Sequence, residues 1–227
     1  MELKPIAYIK TDFPEKFGIP RQSGRVPGLK GRIIFEKEFR DPDFIRGIEE
    51  FSHLWLIWGF SENEREKISP TVRPPRLGGN VRVGVFATRS PFRPNPIGLS
   101  CVKLEKIEKD EKLGTILTVG GIDMKDGTPV YDIKPYIPHA DMVENAVGGF
   151  SDREKDHELA VQIPEAAKKD IDPEILSVIK EILAEDPRPS YQDDAARIYG
   201  FSFAEYEISF RVENETATVT EISKAKK

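Results

Sequence analysis

The chain has 227 residues and a formal net charge of −5, with 38% hydrophobic and 32% charged residues. This length suffices for one large domain, or for a medium and a small domain, with a hydrophobic core. A single cysteine excludes a disulfide framework. No apolar run reaches the roughly 18 residues of a membrane-spanning helix, and the N-terminal residues lack the apolar segment of a secretory signal. We therefore expect a cytoplasmic protein with no membrane association.

Charge is distributed unevenly along the chain. Residues 1–100 contain 17 Lys and Arg against 12 Asp and Glu, whereas residues 101–227 contain 17 against 27. A basic half within an acidic protein predicts a localised surface that binds anions.

The N-terminal part of the chain is predicted to be mainly β-structure. Helical patterns do not alternate with strand patterns there, which disfavours a doubly wound sheet and favours a barrel or a sandwich over residues 1–150. One helical pattern occurs, at residues 44–51. Short apolar or alternating runs between glycine and proline clusters predict strands at residues 6–10, 31–35, 53–60, 81–88, 100–107, 115–121 and 128–133.

A smaller C-terminal unit of α+β type is predicted over residues 164–227, after a polar connection at residues 141–163. Asp172 is a suitable N-cap and Pro173 a suitable first residue for a helix that ends at Asp186-Pro187. Alternation at residues 206–212 and a returning run at 216–222 predict a hairpin. Because so small a unit has a marginal core, we expect it to pack on the N-terminal domain.

The densest chemical signal is an acid-free segment at residues 71–100. Arginine binds phosphate and carboxylate groups bidentately, and the prolines of the segment stiffen the loops that present it. A plain solvated surface is the alternative interpretation, but we favour a face that binds an anionic ligand. A second acid-free stretch covers residues 16–35. The arginines of the first segment are Arg73, Arg76, Arg82, Arg89 and Arg93.

A second signal is the run of aspartates and glycines at residues 119–141. Asp126 precedes Gly127, a pair that suits a turn, so closing a hairpin is the alternative to a ligand role for Asp126. Asp123 and Asp132 are better candidates for contacts to ribose hydroxyls or an amino group. We predict no metal site, and the missing nucleotide-binding glycine motifs disfavour dehydrogenase and P-loop functions. The residues by themselves leave the reaction open.

Six segments of the chain are distinctive: KFGIPRQSG, FSHLW, TVRPPRLGGN, GVFATRSPFRPNPIGLS, DGTPVYDIKPYIPHAD and DPRPSY. Together they resemble the TsaA-like (TrmO) family of S-adenosylmethionine-dependent tRNA methyltransferases. The resemblance implies a single antiparallel β-barrel domain followed by the small α+β domain. It also implies a homodimer with cofactor sites near the subunit interface. The implied reaction is methylation of N6 of threonylcarbamoyl-adenosine at position 37 of tRNA, typically a threonine tRNA.

The resemblance also implies site residues. The acceptor nitrogen is amide-like and needs a proton acceptor, for which Asp126 and Asp132 are the candidates. Family members often have His where this chain has Ser61. The surplus of arginine in the first 100 residues predicts tRNA contacts, for which the candidates are Arg73, Arg76, Arg93 and Lys134. Arg93 or Lys134 is the candidate to hold the threonyl carboxylate or to neutralise the conjugate base. The implied contacts to S-adenosylmethionine are Pro20, Arg21, Gln22, Phe60, Ser61, Arg89, Leu99, Gly120, Gly121, Ile122 and Asp123.

Two alternatives stay open at this point. One is a regulatory or RNA-binding module that binds S-adenosylmethionine without turnover. The other is a methyltransferase that uses the same cofactor and a different acceptor.

Overall fold

Six strands close into an antiparallel barrel. The computed structural model describes residues 2–60, 68–74, 77, 80–153, 158–188 and 194–225. The strands of the N-terminal part are β1 (Ala7–Thr11), β2 (Lys30–Phe35), β3 (His53–Gly59), β4 (Thr71–Val72), β5 (Val83–Gly84), β6 (Ile97–Asp110), β7 (Gly114–Gly120) and β8 (Thr128–Pro135). The order around the barrel is β1-β2-β7-β6-β3-β8, and β8 pairs back with β1. The predicted mainly-β class is confirmed, with a barrel in place of a sandwich.

The barrel encloses one face of each strand. In β3 the side chains of Leu54, Leu56 and Trp58 are buried, whereas His53 and Trp55 on the other face are only half-buried. This alternation is expected of a barrel strand, which has one face in the core and one outside. The aromatic residues of β3 therefore cover the outer wall of the barrel as well as filling its interior.

Two predicted elements of the N-terminal part are wrong in detail. The run at residues 81–88 forms only the two-residue strand β5, paired with β4, and then a 3-10 turn at Val85–Ala87. The predicted helix at residues 44–51 is instead two 3-10 turns, Pro42–Ile45 and Ile48–Glu50. Gly47 separates these turns with φ +87°, a left-handed conformation that interrupts a helix.

The C-terminal unit is a four-stranded sheet with one long helix. Asp172 caps that helix as predicted, because its side chain accepts a hydrogen bond from the Glu174 N–H at 2.7 Å. The elements after β8 are α1 (Pro138–Asp141), which precedes this unit, and then β9 (Ala160–Gln162), α2 (Pro173–Ala184), β10 (Tyr199–Phe203), β11 (Tyr206–Glu213) and β12 (Thr216–Lys224). The sheet order is β10-β11-β12-β9, and β9, which the periodicity did not predict, runs parallel to β12. Further 3-10 turns lie at Lys37–Phe39, Gly149–Arg153 and Glu165–Ala167.

The two parts pack together through a continuous hydrophobic cluster. Ile182 and Leu183 of α2 and Phe201 of β10 belong to the same buried group as barrel residues such as Leu54. The rings of Phe13 and Phe203 lie 5.1 Å apart across the junction. The C-terminal unit is thus part of the core, and the division into residues 1–150 and 164–227 stays a prediction. Within the ranges that the structure describes, no helix is both long enough and apolar enough to cross a membrane.

Candidate active site

A loop between β1 and β2 closes over one end of the barrel. We call residues 18–28 the cofactor loop, because the predicted cofactor contacts Pro20, Arg21 and Gln22 lie in it. Strand β7 ends at Gly120, opposite Lys103 of β6, so the first residues of β6 have no strand neighbour on that side. The cofactor loop takes this place, since Ser23 Oγ accepts a hydrogen bond from the Cys101 N–H at 3.1 Å. The Gly24 N–H also donates to the Gly121 carbonyl at 2.8 Å.

These contacts bring together site residues that are far apart in sequence. Arg89 donates a hydrogen bond from Nη1 to Gln22 Oε1. Gln22 Nε2 donates in turn to the Arg21 carbonyl at 2.6 Å. The arginine-rich segment, the cofactor loop and the turn after β7 therefore meet at one end of the barrel, with exposed guanidinium groups on Arg21 and Arg89.

Beneath this meeting point lies a chain of hydrogen bonds that ends at Asp123. Trp58 Nε1 donates to Ser100 Oγ at 2.9 Å, and Ser100 Oγ donates to Asp123 Oδ1 at 2.6 Å. Burial raises the pKa of Asp123 to about 6, although hydrogen bonds from Ser100 and from backbone N–H groups and the charge of Arg89 favour its ionised form. The site thus holds a carboxylate that is charged at neutral pH in poorly solvated surroundings.

Glycines make this close packing possible. Gly121 has φ +70°, and a Cβ there would lie 3.1 Å from the Cα of Gly24 in the cofactor loop. A Cβ at Gly98 would lie only 2.2 Å from the Trp58 ring. The Trp58 ring also packs beside Phe60, with ring centroids 4.4 Å apart. A larger residue at Gly121 would push the loop away from the barrel end, and a larger residue at Gly98 would displace the Trp58 ring.

The remaining predicted cofactor residues differ in what they expose. Leu99 is 52% exposed on the outer face of β6, next to the inward-facing Ser100. Ile122 is 1% exposed, so its side chain belongs to the core and only its backbone is available to a ligand. Pro20 is also buried. Ser61 lies outside the described residues.

The two candidate proton acceptors lie apart from this group. Asp126 Oδ2 pairs with Lys10 Nζ at 3.1 Å, and its Oδ1 accepts the Thr11 N–H at 3.0 Å. These contacts join the turn before β8 to the end of β1. Asp132 pairs through Oδ2 with Lys134 Nζ at 2.9 Å. Within the described chain neither carboxylate contacts Gln22, Ser100 or Asp123, and no His, Cys, Asp and Glu group is arranged to hold a metal.

The predicted tRNA contacts differ in exposure and in their partners. Arg73 is exposed, and Arg93 is half-buried because its Nη1 donates to the Thr88 carbonyl at 3.0 Å. Lys134 is exposed and pairs with Asp132. Arg76 lies outside the described residues.

Sequence reasoning missed Ser100 and Trp58, which connect Asp123 to the barrel interior. The available signal was the alternation in β6, which places a polar side chain, Ser100, at a position whose neighbours Gly98 and Val102 face the core. A buried hydroxyl needs a hydrogen-bond partner, and that requirement points to a polar cluster.

Comparison with known proteins agrees with this architecture. The family model described as the tRNA-methyltransferase O N-terminal domain matches residues 8–142, and the TrmO C-terminal domain matches residues 156–225. A crystal structure of TrmO from Pseudomonas aeruginosa superposes with a TM-score of 0.79 at 33% identity, covering 99% of this chain and 97% of that one. The fold class is therefore a β-barrel protein with an attached C-terminal unit.

Two curated relatives extend along nearly the whole chain. One is the tRNA (adenine(37)-N6)-methyltransferase of Escherichia coli (strain K12), 39% identical over 221 residues and 93% of each chain. The other is a putative S-adenosylmethionine-dependent methyltransferase, RcsF, of Pseudomonas aeruginosa, 41% identical over 206 residues and 87% of each chain. The chain belongs to the TrmO family, and the resemblance predicted from its motifs is confirmed.

We expect Asp123→Asn to stabilise the protein more at pH 8 than at pH 5. The raised pKa means that the folded chain holds the Asp123 proton more tightly than the unfolded chain. The carboxyl therefore costs stability as pH rises from its ordinary value of 3.8 through about 6. Asparagine carries no such charge. The melting temperature of the variant relative to wild type should rise by about 2–4 °C between these pH values.

Glu111→Gln, the same chemical change at an exposed turn, serves as the control. Equal pH dependence of the two variants in thermal melts would contradict the burial of charge at Asp123.

Proposed function

We propose that this chain methylates N6 of threonylcarbamoyl-adenosine at position 37 of tRNA, as a homodimer in the cytoplasm, where its tRNA substrate is found. As a member of the TrmO family it is an S-adenosylmethionine-dependent tRNA methyltransferase. One observation carries the site assignment. Cofactor residues from separate segments of the chain, Gln22, Arg89 and Asp123, meet at one end of the barrel with the Gly121 turn between them.

The residues at the barrel end fit the chemical groups of S-adenosylmethionine. Asp123 suits ribose hydroxyls, which donate hydrogen bonds to a carboxylate. Arg89, oriented by Gln22, suits the carboxylate of the methionine part. Phe60 and Leu99 offer apolar surface to the adenine ring, and Gly121 allows close approach of the backbone. When bound, the cofactor supplies an electrophilic methyl group on a sulfonium sulfur.

The chain itself has to hold the acceptor nitrogen in line with that methyl group and accept a proton from it. We propose Asp126 and Asp132 for the proton. Of the two, Asp132 is the less constrained, because its side chain is 47% exposed and its ion pair with Lys134 lies on the surface. We propose Lys134 or Arg93 as the cation that holds the threonyl carboxylate, since a cation stabilises the ionised form of that group.

The acid-free segment is the proposed tRNA surface. Residues 71–100 contain five arginines and no Asp or Glu. Arg73 is exposed in this segment, and Arg76 lies in it as well. Phosphate contacts of this kind release counterions, so the tRNA affinity that they provide falls as salt is added.

Exposed apolar side chains support the proposal of a homodimer. Phe86 is 79% exposed, Leu99 52% and Ile97 37%, and all three lie in the same segment as Arg89. Apolar surface of this kind marks protein interfaces. A second copy seated on these side chains would place the cofactor residues near the subunit boundary.

The proposed reaction predicts methyl transfer to one class of tRNA. Purified protein with methyl-labelled S-adenosylmethionine should label total tRNA that carries threonylcarbamoyl-adenosine, and should leave tRNA from a strain lacking that modification unlabelled. Label in both tRNA pools would support methyltransferase activity but would show that the acceptor is a group other than threonylcarbamoyl-adenosine. Cofactor binding in calorimetry without label in either pool would favour a binding module without turnover.

The same assay tests the proton acceptors. Asp132→Ala should lower turnover by about 10²–10⁴-fold with unchanged cofactor affinity, the usual contribution of a general base. Unchanged turnover would exclude Asp132 from this role, and Asp126→Ala then becomes the decisive variant.

The dimer proposal predicts that Phe86→Asp gives a monomer in light scattering coupled to gel filtration, because a charge cannot be buried unpaired in an apolar interface. Phe44→Asp, at another aromatic residue that is 64% exposed, should leave the wild-type dimer intact. A monomeric wild type, or a dimeric Phe86→Asp protein, would contradict this interface.

A further inference from the structure

The C-terminal unit holds the cofactor loop by a buried ion pair. Arg25 Nε lies 2.9 Å from both carboxylate oxygens of Glu185, and Arg25 Nη2 lies 2.7 Å from Glu185 Oε1. The Glu185 side chain is only 10% exposed and that of Arg25 30%. Arg25 Nε donates to both carboxylate oxygens, and an ion pair with so little solvent around it holds the two side chains in position. The ion pair joins Glu185, the residue directly after α2, to the cofactor loop, which contains no strand or helix.

A second contact lies one helical turn earlier. Glu181 Oε2 accepts a hydrogen bond from the Gly28 N–H at 3.1 Å. Gly28 also lies against α2, since a Cβ there would be 2.8 Å from Cγ2 of Val178. Two carboxylates of one helix, Glu181 and Glu185, therefore hold the end of the loop that leads into β2.

The other end of the loop contacts the same unit. Gly18 has φ +96°, and a Cβ there would lie 2.8 Å from the ring of Phe201 in β10. Arg21 Nη2 donates to the Arg188 carbonyl at 2.8 Å, just beyond the end of α2. Arg188 is itself held by Asp186, with Nε and Nη2 2.8 and 2.9 Å from its carboxylate oxygens.

The opposite side of the loop contacts the barrel. Gln22, Ser23 and Gly24 bond Arg89, Cys101 and Gly121, as described above. The loop therefore lies between the barrel and the C-terminal unit, and its own backbone has neither strand nor helix. Without either support the loop residues would adopt several conformations, and binding would have to restrict them again at a cost in conformational entropy.

We propose that α2 is a positioning element of the cofactor site, and that Glu181 and Glu185 set the affinity for S-adenosylmethionine by holding the cofactor loop in its binding conformation. This inference rests on the proposed function, because it requires that the loop bind the cofactor. A preformed loop spares the ligand the cost of ordering it. The coupling is reciprocal, so bound cofactor also strengthens the attachment of the C-terminal unit.

The test uses the full chain and calorimetric titration with S-adenosylmethionine. Glu185→Gln and Glu181→Gln should each raise the Kd by about five- to tenfold, the lower range of coupling between sites. Glu15→Gln is the matched control. Glu15 Oε1 accepts the Ser202 N–H at 3.0 Å, so it also links the two units but precedes the cofactor loop. The Kd of the Glu15→Gln protein for S-adenosylmethionine should stay within about twofold of wild type, because the contact between Glu15 and Ser202 is exposed.

Steady-state kinetics distinguish positioning from a loss of folding. The KM for S-adenosylmethionine should rise in Glu185→Gln, while kcat at saturating cofactor and the KM for tRNA stay unchanged. Exchanging the charges, with Arg25→Glu and Glu185→Arg together, should recover cofactor affinity. A uniform loss of kcat without a change in cofactor Kd would overturn the proposal.

Gln22→Ala separates this inference from the proposed site. Weaker cofactor binding in Gln22→Ala with unchanged binding in both glutamate variants would leave the site in place and exclude the positioning role. Unchanged binding in Gln22→Ala would remove the loop from the cofactor site, and the positioning role with it.

Discussion

The rest of this site depends on one constraint: strand β6 extends beyond the end of its neighbour β7. Strand β7 stops at Gly120, whereas β6 begins at Ile97, six residues before the Lys103 that pairs with Gly120. Backbone donors left without a partner in a packed region are costly, so another segment has to cover them. The cofactor loop does so through Ser23, and it is thereby brought against the turn that carries Asp123. The site is a consequence of how the barrel end is completed.

This arrangement places the charge of the Asp123 carboxylate in poorly solvated surroundings, at the proposed cofactor site. Asp123 is desolvated, and the fixed donor of Ser100 compensates only part of that cost. Ser100 is in turn held by Trp58, whose ring fills the space left by Gly98. A carboxylate fixed in this way needs no reorganisation when a hydroxyl donor arrives, which is the advantage of a preformed polar site. In the proposed cofactor site, the stability lost at Asp123 would serve binding.

The C-terminal unit completes the same construction from the other side. The barrel contacts one face of the cofactor loop. The carboxylates of Glu181 and Glu185 from the C-terminal unit contact the other face. The hydrophobic cluster that both parts share makes this attachment part of the folded core. The unit therefore acts on the site through packing and charge.

Much of this fold is predictable from local patterns, and the site much less so. The strands of the barrel and the helix with its cap at Asp172 follow from apolar periodicity and end signals, because those depend on neighbours in sequence. The pattern at residues 81–88 failed because an apolar run does not specify a strand partner, and β5 finds only the two residues of β4. Strand β9 has three residues, too few for a period. The motifs indicated Gln22, Arg89 and Asp123. The role of Ser100 depends on a contact across 23 residues of sequence, and that of Glu185 on a contact across 160 residues. Periodicity reports only near neighbours, so it does not predict such contacts.

Hydrogen exchange measured with and without S-adenosylmethionine tests the location of the cofactor site most directly. The account predicts slower exchange in peptides that cover residues 18–28, 97–101 and 120–123, where the amides of Gly24, Cys101 and Gly121 are already hydrogen-bonded between the loop and the barrel. Peptides that cover the exposed turn at Glu111 should be unchanged. Protection confined to peptides outside these three ranges would contradict this location of the cofactor site.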